Sequence, residues 1–304
     1  MRNYLIGTGG WAYFQVLGQH PLVAYSKAFD FVEVNSTFYK LPDPRLVESW
    51  RTLVPPEFEF SVRCHRALSH KFKFQPTTEA HKTLTDMIDI CDTLKAEILH
   101  IQTPPKFQPT KTNAELIRDF ISSANLKSHR IALEIRSHQP ISPAFINSMR
   151  DLNMIHSTDL SKDEELAYKS DILYSRLFGK GFHNIYQPTD DELKTIDRKA
   201  SERSHKKAAV SFHFTKMYKD ATRLKIYKNT GEFPMVTKSV GSRSLAEVLQ
   251  EDAQFPSSRN KLIRHQGWKL IDFTEEKRMR ASELLEKLPE KTYSSPEEVV
   301  RALG

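Results

Sequence analysis

Apolar residues rich in β-branched and aromatic types recur in eight short runs, at 4–7, 31–37, 58–63, 98–102, 131–136, 154–159, 172–177 and 209–214. Runs of that length, bounded by polar or turn-forming residues, predict buried strands. Between them the period becomes helical. It is clearest over 79–95, where Leu84, Met87, Ile88, Cys91 and Leu94 share a stripe, and over 113–124, with Leu116, Ile117, Phe120 and Ile121. Shorter helices are predicted at 21–28, 44–53, 140–151, 163–169, 190–204 and 217–228, several opening on Pro, Asp or Asn.

Parallel strands need crossover helices, and eight strand–helix units close on themselves. The pattern therefore predicts an α/β fold, an eight-stranded parallel (β/α) barrel of the TIM type, over residues 1–230. An open doubly wound sheet is the rival. It normally carries a glycine-rich phosphate turn, and Gly7-Thr8-Gly9-Gly10 lacks the G-x-G-x-x-G spacing. After residue 228 a turn-rich linker leads into 231–304, which reads as a small helical module with helices at 244–252, 257–266, 275–287 and 295–302. Ser257, Thr274 and Ser295 are its expected N-caps, and Leu262, Trp268, Leu284, Leu285 and Leu288 its expected core.

Composition narrows the class. A chain of 304 residues with 39% hydrophobic and 10% aromatic residues has ample material for a core, which excludes a disordered or low-complexity protein. Cys64 and Cys91 are too few for a disulfide framework, and no apolar run approaches a membrane span or a signal-peptide core, so a cytoplasmic protein without membrane contact is expected. The net charge of +7 favours an anionic partner. Eleven basic and eleven acidic residues cancel from Val240 onward, so the whole excess lies in the first 239 positions.

In such a barrel the working groups stand at the C-terminal ends of the strands. That rule collects Thr8, Trp11, Glu33, Asn35, Ser36, Arg63, His65, Gln102, Glu134, Arg136, His138, Asp159, Arg176, Lys180 and His213. Polar residues ending apolar strands are costly unless paired or used, and a buried Glu–Arg cap is the bland alternative to a polar pocket. Glu33, Glu134 and Asp159 form a carboxylate set for acid–base work, with His213 as helper, or for holding a divalent cation beside His65 or His213. No short-spaced metal signature accompanies them. Three arginines at strand ends suit a phosphate or carboxylate. Neither cysteine reads as a nucleophile, and no G-x-S-x-G elbow is present.

Two stretches combine basic and aromatic residues. One follows the third strand and contains Arg66, Lys71, Phe72, Lys73 and Phe74. The other, 198–228, contains Lys206 and Lys207. Interleaved Lys and Phe pair with phosphates and stack on bases, whereas a solvated helix face is the plain account of the second stretch.

The blocks Gly7-Thr-Gly-Gly-Trp-Ala-Tyr13, Glu33-Val-Asn-Ser-Thr-Phe-Tyr39, Phe58-Glu-Phe-Ser-Val-Arg63, Gln102-Thr-Pro-Pro-Lys-Phe107, Ala132-Leu-Glu-Ile-Arg136 and Tyr174-Ser-Arg-Leu-Phe-Gly179 together resemble the YecE-like family, domain of unknown function 72. The resemblance runs from Leu5 to about Lys228 and implies a TIM-type barrel, related at the level of fold to sugar isomerases. Phe178 stands where many members have His, and His213-Phe214 where paired Asn is common, so no catalytic role is carried over to those positions. The tail is similar to the small helical domain of unknown function 2795.

Three functions follow as expectations. The first is nuclease-like hydrolysis of a phosphodiester in DNA or RNA, with strand-end carboxylates activating water and arginines holding phosphate. The second is a sugar or sugar-phosphate isomerase or hydrolase, with Trp11, Tyr39 and Trp50 as stacking faces. The third is a non-catalytic nucleic-acid-binding adaptor.

Overall fold

The computed structural model describes residues 3–162, 164–202 and 205–304. All eight expected strands form: β1 (Asn3–Thr8), β2 (Phe31–Val34), β3 (Glu59–Arg63), β4 (Ile98–Gln102), β5 (Arg130–Glu134), β6 (Ile155–Ser157), β7 (Ile172–Leu177) and β8 (Lys207–Phe212). They pair in parallel in the order β6-β5-β4-β3-β2-β1-β8-β7. A parallel bridge from Thr158 to Ser175, with the Ser175 hydroxyl donating to Thr158 O at 2.8 Å, brings the two edges together. The result is a nearly closed TIM-type barrel.

Five helices follow the first five strands or their loops: α1 (Pro21–Ala28), α2 (Pro44–Thr52), α3 (Thr78–Leu94), α4 (Lys111–Ser122) and α5 (Pro143–Asp151). Their starts are written in the sequence. Asp43, Thr77, Thr110 and Ser142 cap α2 to α5 by accepting from a backbone N–H in the first turn. The helix expected at 163–169 is replaced, among the described residues, by a 3-10 turn at Leu160–Lys162; Asp163 lies outside them. Asp159 ties that turn by accepting from Ser161 N, which leaves a one-turn connection in place of a crossover helix. Helix α6 spans Asp190–Ala200, shorter than the expected 190–204; Arg203 and Ser204 are outside the described residues.

Alternate strand residues face the barrel interior, and they fall into two layers. The lower layer is apolar: Leu5, Phe31, Ile98, Ala132, Ile155, Ile172, Tyr174 and Ala209 cluster there. One pleat further along, the register sets Gln102 beside Glu134 and Ser157, Arg63 beside His100, and Arg176 beside Ser211. The strands thus switch from oil to charge within two residues, always toward their C-terminal ends.

The chain forms two compact units. The first, 1–177 with 199–213, holds all eight strands and α1 to α5; the second is 178–198 with 214–304. The second unit therefore takes in chain on both sides of the expected boundary at 230. It contains α6 up to Arg198 and α7 (Met217–Thr230), followed by α8 (Gly241–Asp252), β9 (Ser257–Ser258), α9 (Arg259–Gln266), β10 (Leu270–Asp272), β11 (Arg278–Arg280), α10 (Ala281–Leu285), β12 (Thr292–Tyr293) and α11 (Pro296–Leu303). Leu245, Leu249, Leu262, Ile271, Leu284, Leu285, Leu288 and Tyr293 lie in its core.

The tail is not purely helical, which corrects the expectation of a helical module. β10 pairs antiparallel with β11 and β12 with β9, so the helix expected at 275–287 shrinks to α10. Met279 between two arginines is a one-residue alternation, too short to announce a strand by sequence. Thr274 accepts from Lys277 N in the hairpin turn instead of capping a helix, Ser258 rather than Ser257 caps α9, and Trp268 stays outside the core.

Candidate active site

The charged layer centres on Arg176. Its Nη2 donates to Glu33 Oε1 at 3.0 Å, its Nε stands 2.9 Å from Glu33 Oε2, and its Nη1 donates to Glu134 Oε2 at 2.7 Å and to Gln102 Oε1 at 3.2 Å. One guanidinium thus bridges two carboxylates from opposite parts of the barrel. Tyr174, one pleat below, donates to Glu33 Oε2 at 2.6 Å and is hydrogen-bonded to Ser61. His100 Nε2 donates to Glu134 Oε2 at 3.1 Å, and Arg136 Nε to Glu134 Oε1 at 2.6 Å. Arg63 donates to Asn35 Oδ1 and Gln102 Oε1, both at 2.6 Å, with its guanidinium carbon 3.6 Å from the centre of the Phe38 ring.

Electrostatics follow from that packing. Burial, the largest influence, opposes ionisation of Glu33 and Glu134, but Arg176 together with the neighbouring histidines and arginines outweighs it and holds both below the usual carboxylate range, with His100 adding a hydrogen bond to Glu134. The same burial, reinforced by Arg176, pushes His100 down to about 4 and His213 down to about 3. Both imidazoles are therefore neutral near pH 7. Burial and Arg176 lower Arg63 to about 10, which leaves it charged. Arg63, Arg136 and Arg176 against Glu33 and Glu134 give the layer one net positive charge. Arg136 is its accessible cation, with 37% of its side chain exposed.

His213 closes the layer from the end of β8. Its Nε2 lies 3.6 Å from Glu33 Oε1 and is hydrogen-bonded to Ser211 at 3.1 Å. Gly9 makes room for the ring, since a Cβ at that position would sit 2.2 Å from His213 Cε1.

Of the residues expected at the site, Glu33, Asn35, Arg63, Gln102, Glu134, Arg136, Arg176 and His213 come together. The others make their described contacts elsewhere. Thr8 is buried, its hydroxyl donating to Gly10 O at 2.8 Å and lying 3.1 Å from Tyr25 Oη. Asp159 accepts from Ser161 and pairs with Lys162 at 3.7 Å. His65 Nδ1 accepts from Ala67 N. Ser36 opens a 3-10 turn, Tyr39 is 65% exposed beside Phe38, and Trp11 packs edge-on against Trp50 at 5.3 Å. Lys180 belongs to the second unit and pairs with Glu192 at 3.8 Å. Among the described residues no group of three or more His, Cys, Asp and Glu is placed to hold a metal ion.

The basic stretches divide. Arg66 precedes a π-helical turn at Ala67–Lys71; Lys71, which ends the turn, and Lys73 beyond it are exposed. Phe72 lies 5.2 Å below the Lys71 ammonium, but Phe74 is buried against Phe107 and Phe120 and offers no stacking face. Lys207 starts β8 at the opposite end of the barrel, where it pairs with Glu59 and Glu97; Lys206 beside it is exposed. Cys64 and Cys91 are buried, and burial pushes the Cys64 thiol up to about 12.

Sequence reasoning missed His100, Tyr174 and Phe38 as parts of the site. A signal existed for two of them. His100 precedes Gln102 by one pleat and Tyr174 precedes Arg176 by one, so strict alternation turns each inward.

Fold and site define a TIM-type barrel protein with an arginine-bridged carboxylate pair buried at the C-terminal ends of its strands. The chain belongs to the family described as protein of unknown function DUF72, whose model matches residues 5–227. The tail lies beyond that match, and the resemblance to domain 2795 stays outside it. UPF0759 protein YunF of Bacillus subtilis (strain 168) is 25% identical over 167 residues, 50% of this chain and 58% of that protein, so less than two thirds of that relative is spanned. Crystal structures of DUF72 family proteins from Enterococcus faecalis V583 and Thermotoga maritima MSB8 match with TM-scores of 0.58 and 0.59 at 17% and 19% identity. Each alignment covers 76% of this chain, and 98% and 100% of those chains, and shares the fold. Among the described residues no helix is long and apolar enough to cross a membrane.

Proposed function

We propose that the barrel mouth binds a small anionic substrate, a sugar phosphate or sugar acid, and acts on it as an isomerase or hydrolase. The carrying observation is the charge count of the buried layer: three guanidiniums face two carboxylates while both histidines are neutral. Arg63 Nε and His100 Nδ1 add support, being buried without a hydrogen-bond partner among the described residues; a substrate's polar atoms would satisfy them. Arg136 is the group that takes the anion. When it does, Glu134 Oε1 loses its partner and becomes the site's proton acceptor, while Glu33 stays locked by Arg176 and Tyr174. The free, buried thiols of Cys64 and Cys91 fit a cytoplasmic setting.

Nuclease-like hydrolysis is the second reading, supported by the exposed Arg66, Lys71 and Lys73 beside the π-helical turn. A common experiment separates the two. Sugar phosphates and oligonucleotides are titrated into wild type and Arg136→Gln, and turnover is followed with and without chelator. Saturable sugar-phosphate binding that falls about tenfold or more in Arg136→Gln supports the small-molecule reading. Oligonucleotide cleavage abolished by Glu134→Gln would replace it with the nuclease, and salt-sensitive oligonucleotide binding without turnover would replace both with the adaptor.

A further inference from the structure

The second unit contains a cavity of about 460 Å³, in the range of small-ligand sites and large enough for a mononucleotide. Gln266, in the last turn of α9, lines it, only 6% exposed, and its Oε1 has no hydrogen-bond partner among the described residues. A buried carboxamide oxygen left unpaired is costly unless something binds it. Around it stand groups of complementary chemistry. The Trp268 indole supplies an aromatic surface, fixed by its Nε1 donating to His265 O at 2.9 Å. Lys261 and His265, one helical turn apart on α9, supply cationic and hydrogen-bonding heads at an exposed rim. Asp252 also lines the cavity, its charge answered by the buried Lys269 at 2.5 Å.

We propose that this cavity binds an adenine nucleotide. A carboxamide offers an acceptor and a donor side by side, the complement of the amino group and ring nitrogen on one edge of adenine. Guanine shows two acceptors on that edge and suits Arg or Lys instead. Trp268 packs the base, Lys261 takes the phosphate, and the free oxygen of Asp252 accepts from a ribose hydroxyl. The inference uses no residue of the barrel mouth.

The test titrates the full chain with AMP, adenosine, GMP and inorganic phosphate by calorimetry. Saturable AMP binding is expected, tighter than GMP and adenosine by about tenfold. Gln266→Leu is expected to weaken AMP by about tenfold or more, and Lys261→Ala to remove the advantage of AMP over adenosine. Arg136→Gln leaves AMP affinity unchanged, which separates this cavity from the barrel mouth. If Gln266→Leu does not fold, Lys261→Ala and Trp268→Leu carry the same comparison. No saturation by AMP into the low millimolar range, equal affinity for AMP and GMP, or unchanged AMP affinity in the cavity variants overturns the proposal.

Discussion

Arg176 and Glu33 meet through two contacts, Nη2 to Oε1 at 3.0 Å and Nε to Oε2 at 2.9 Å, with the side chains 1% and 0% exposed. Such a pair gives little net stability by existing and costs much when halved, because the surviving charge stays buried. Arg176→Met leaves both Glu33 and part of Glu134 uncompensated, and the expected loss is about 3–5 kcal/mol in urea unfolding. Arg136→Gln, at a half-exposed position, is expected to cost about 1 kcal/mol or less. Equal effects from the two would show that the layer is solvated.

Acid lability follows from the histidines before the glutamates. In the unfolded chain His100 and His213 protonate near their ordinary value of 6.5, while in the fold they stay neutral down to about 4 and about 3. The unfolded state therefore binds more protons as pH drops below about 6.5, and stability falls with it. Glu33 and Glu134, depressed by Arg176, extend the loss below 4.5. The urea midpoint is expected to decline steadily from about pH 7 to about pH 4. A flat profile would mean that both imidazoles accept protons within the fold.

Phe74 and its lysine neighbours part company on substitution. Phe74→Ala removes a ring buried against Phe107 and Phe120 and is expected to cost about 3–5 kcal/mol, read as a fall in thermal midpoint. Lys71→Glu and Lys73→Glu at exposed positions are expected to stay within about 0.5 kcal/mol of wild type. They change any polyanion binding and its salt slope instead.

Gly9→Ala places a methyl against the His213 imidazole. The ring must move, at an expected cost of about 1–3 kcal/mol, and its contact with Ser211 breaks. The shift is checked by the His213 side-chain resonances together with the unfolding midpoint. Unchanged resonances would show that the loop, rather than the ring, yields.

The sequence by itself determined the barrel. Eight apolar runs and the helical stripes of Glu79–Lys95 and Asn113–Ala124 report strand and helix burial directly, because each is a local periodicity. It also placed Glu33, Glu134, Arg63 and Arg176 at strand ends, since polarity there breaks an apolar run. Tertiary structure decided what those ends do. Sequence spacing carries no distance between β2, β5 and β7, so it could not show that Arg176 holds Glu33 and Glu134 at once. Nor could it separate Asp159, which ties a turn, from the carboxylates in the layer. The tail differed for a related reason. Its two-stranded pairings, β10 with β11 and β9 with β12, involve only two or three residues each, and so short a strand leaves no period in the chain; only its partner defines it.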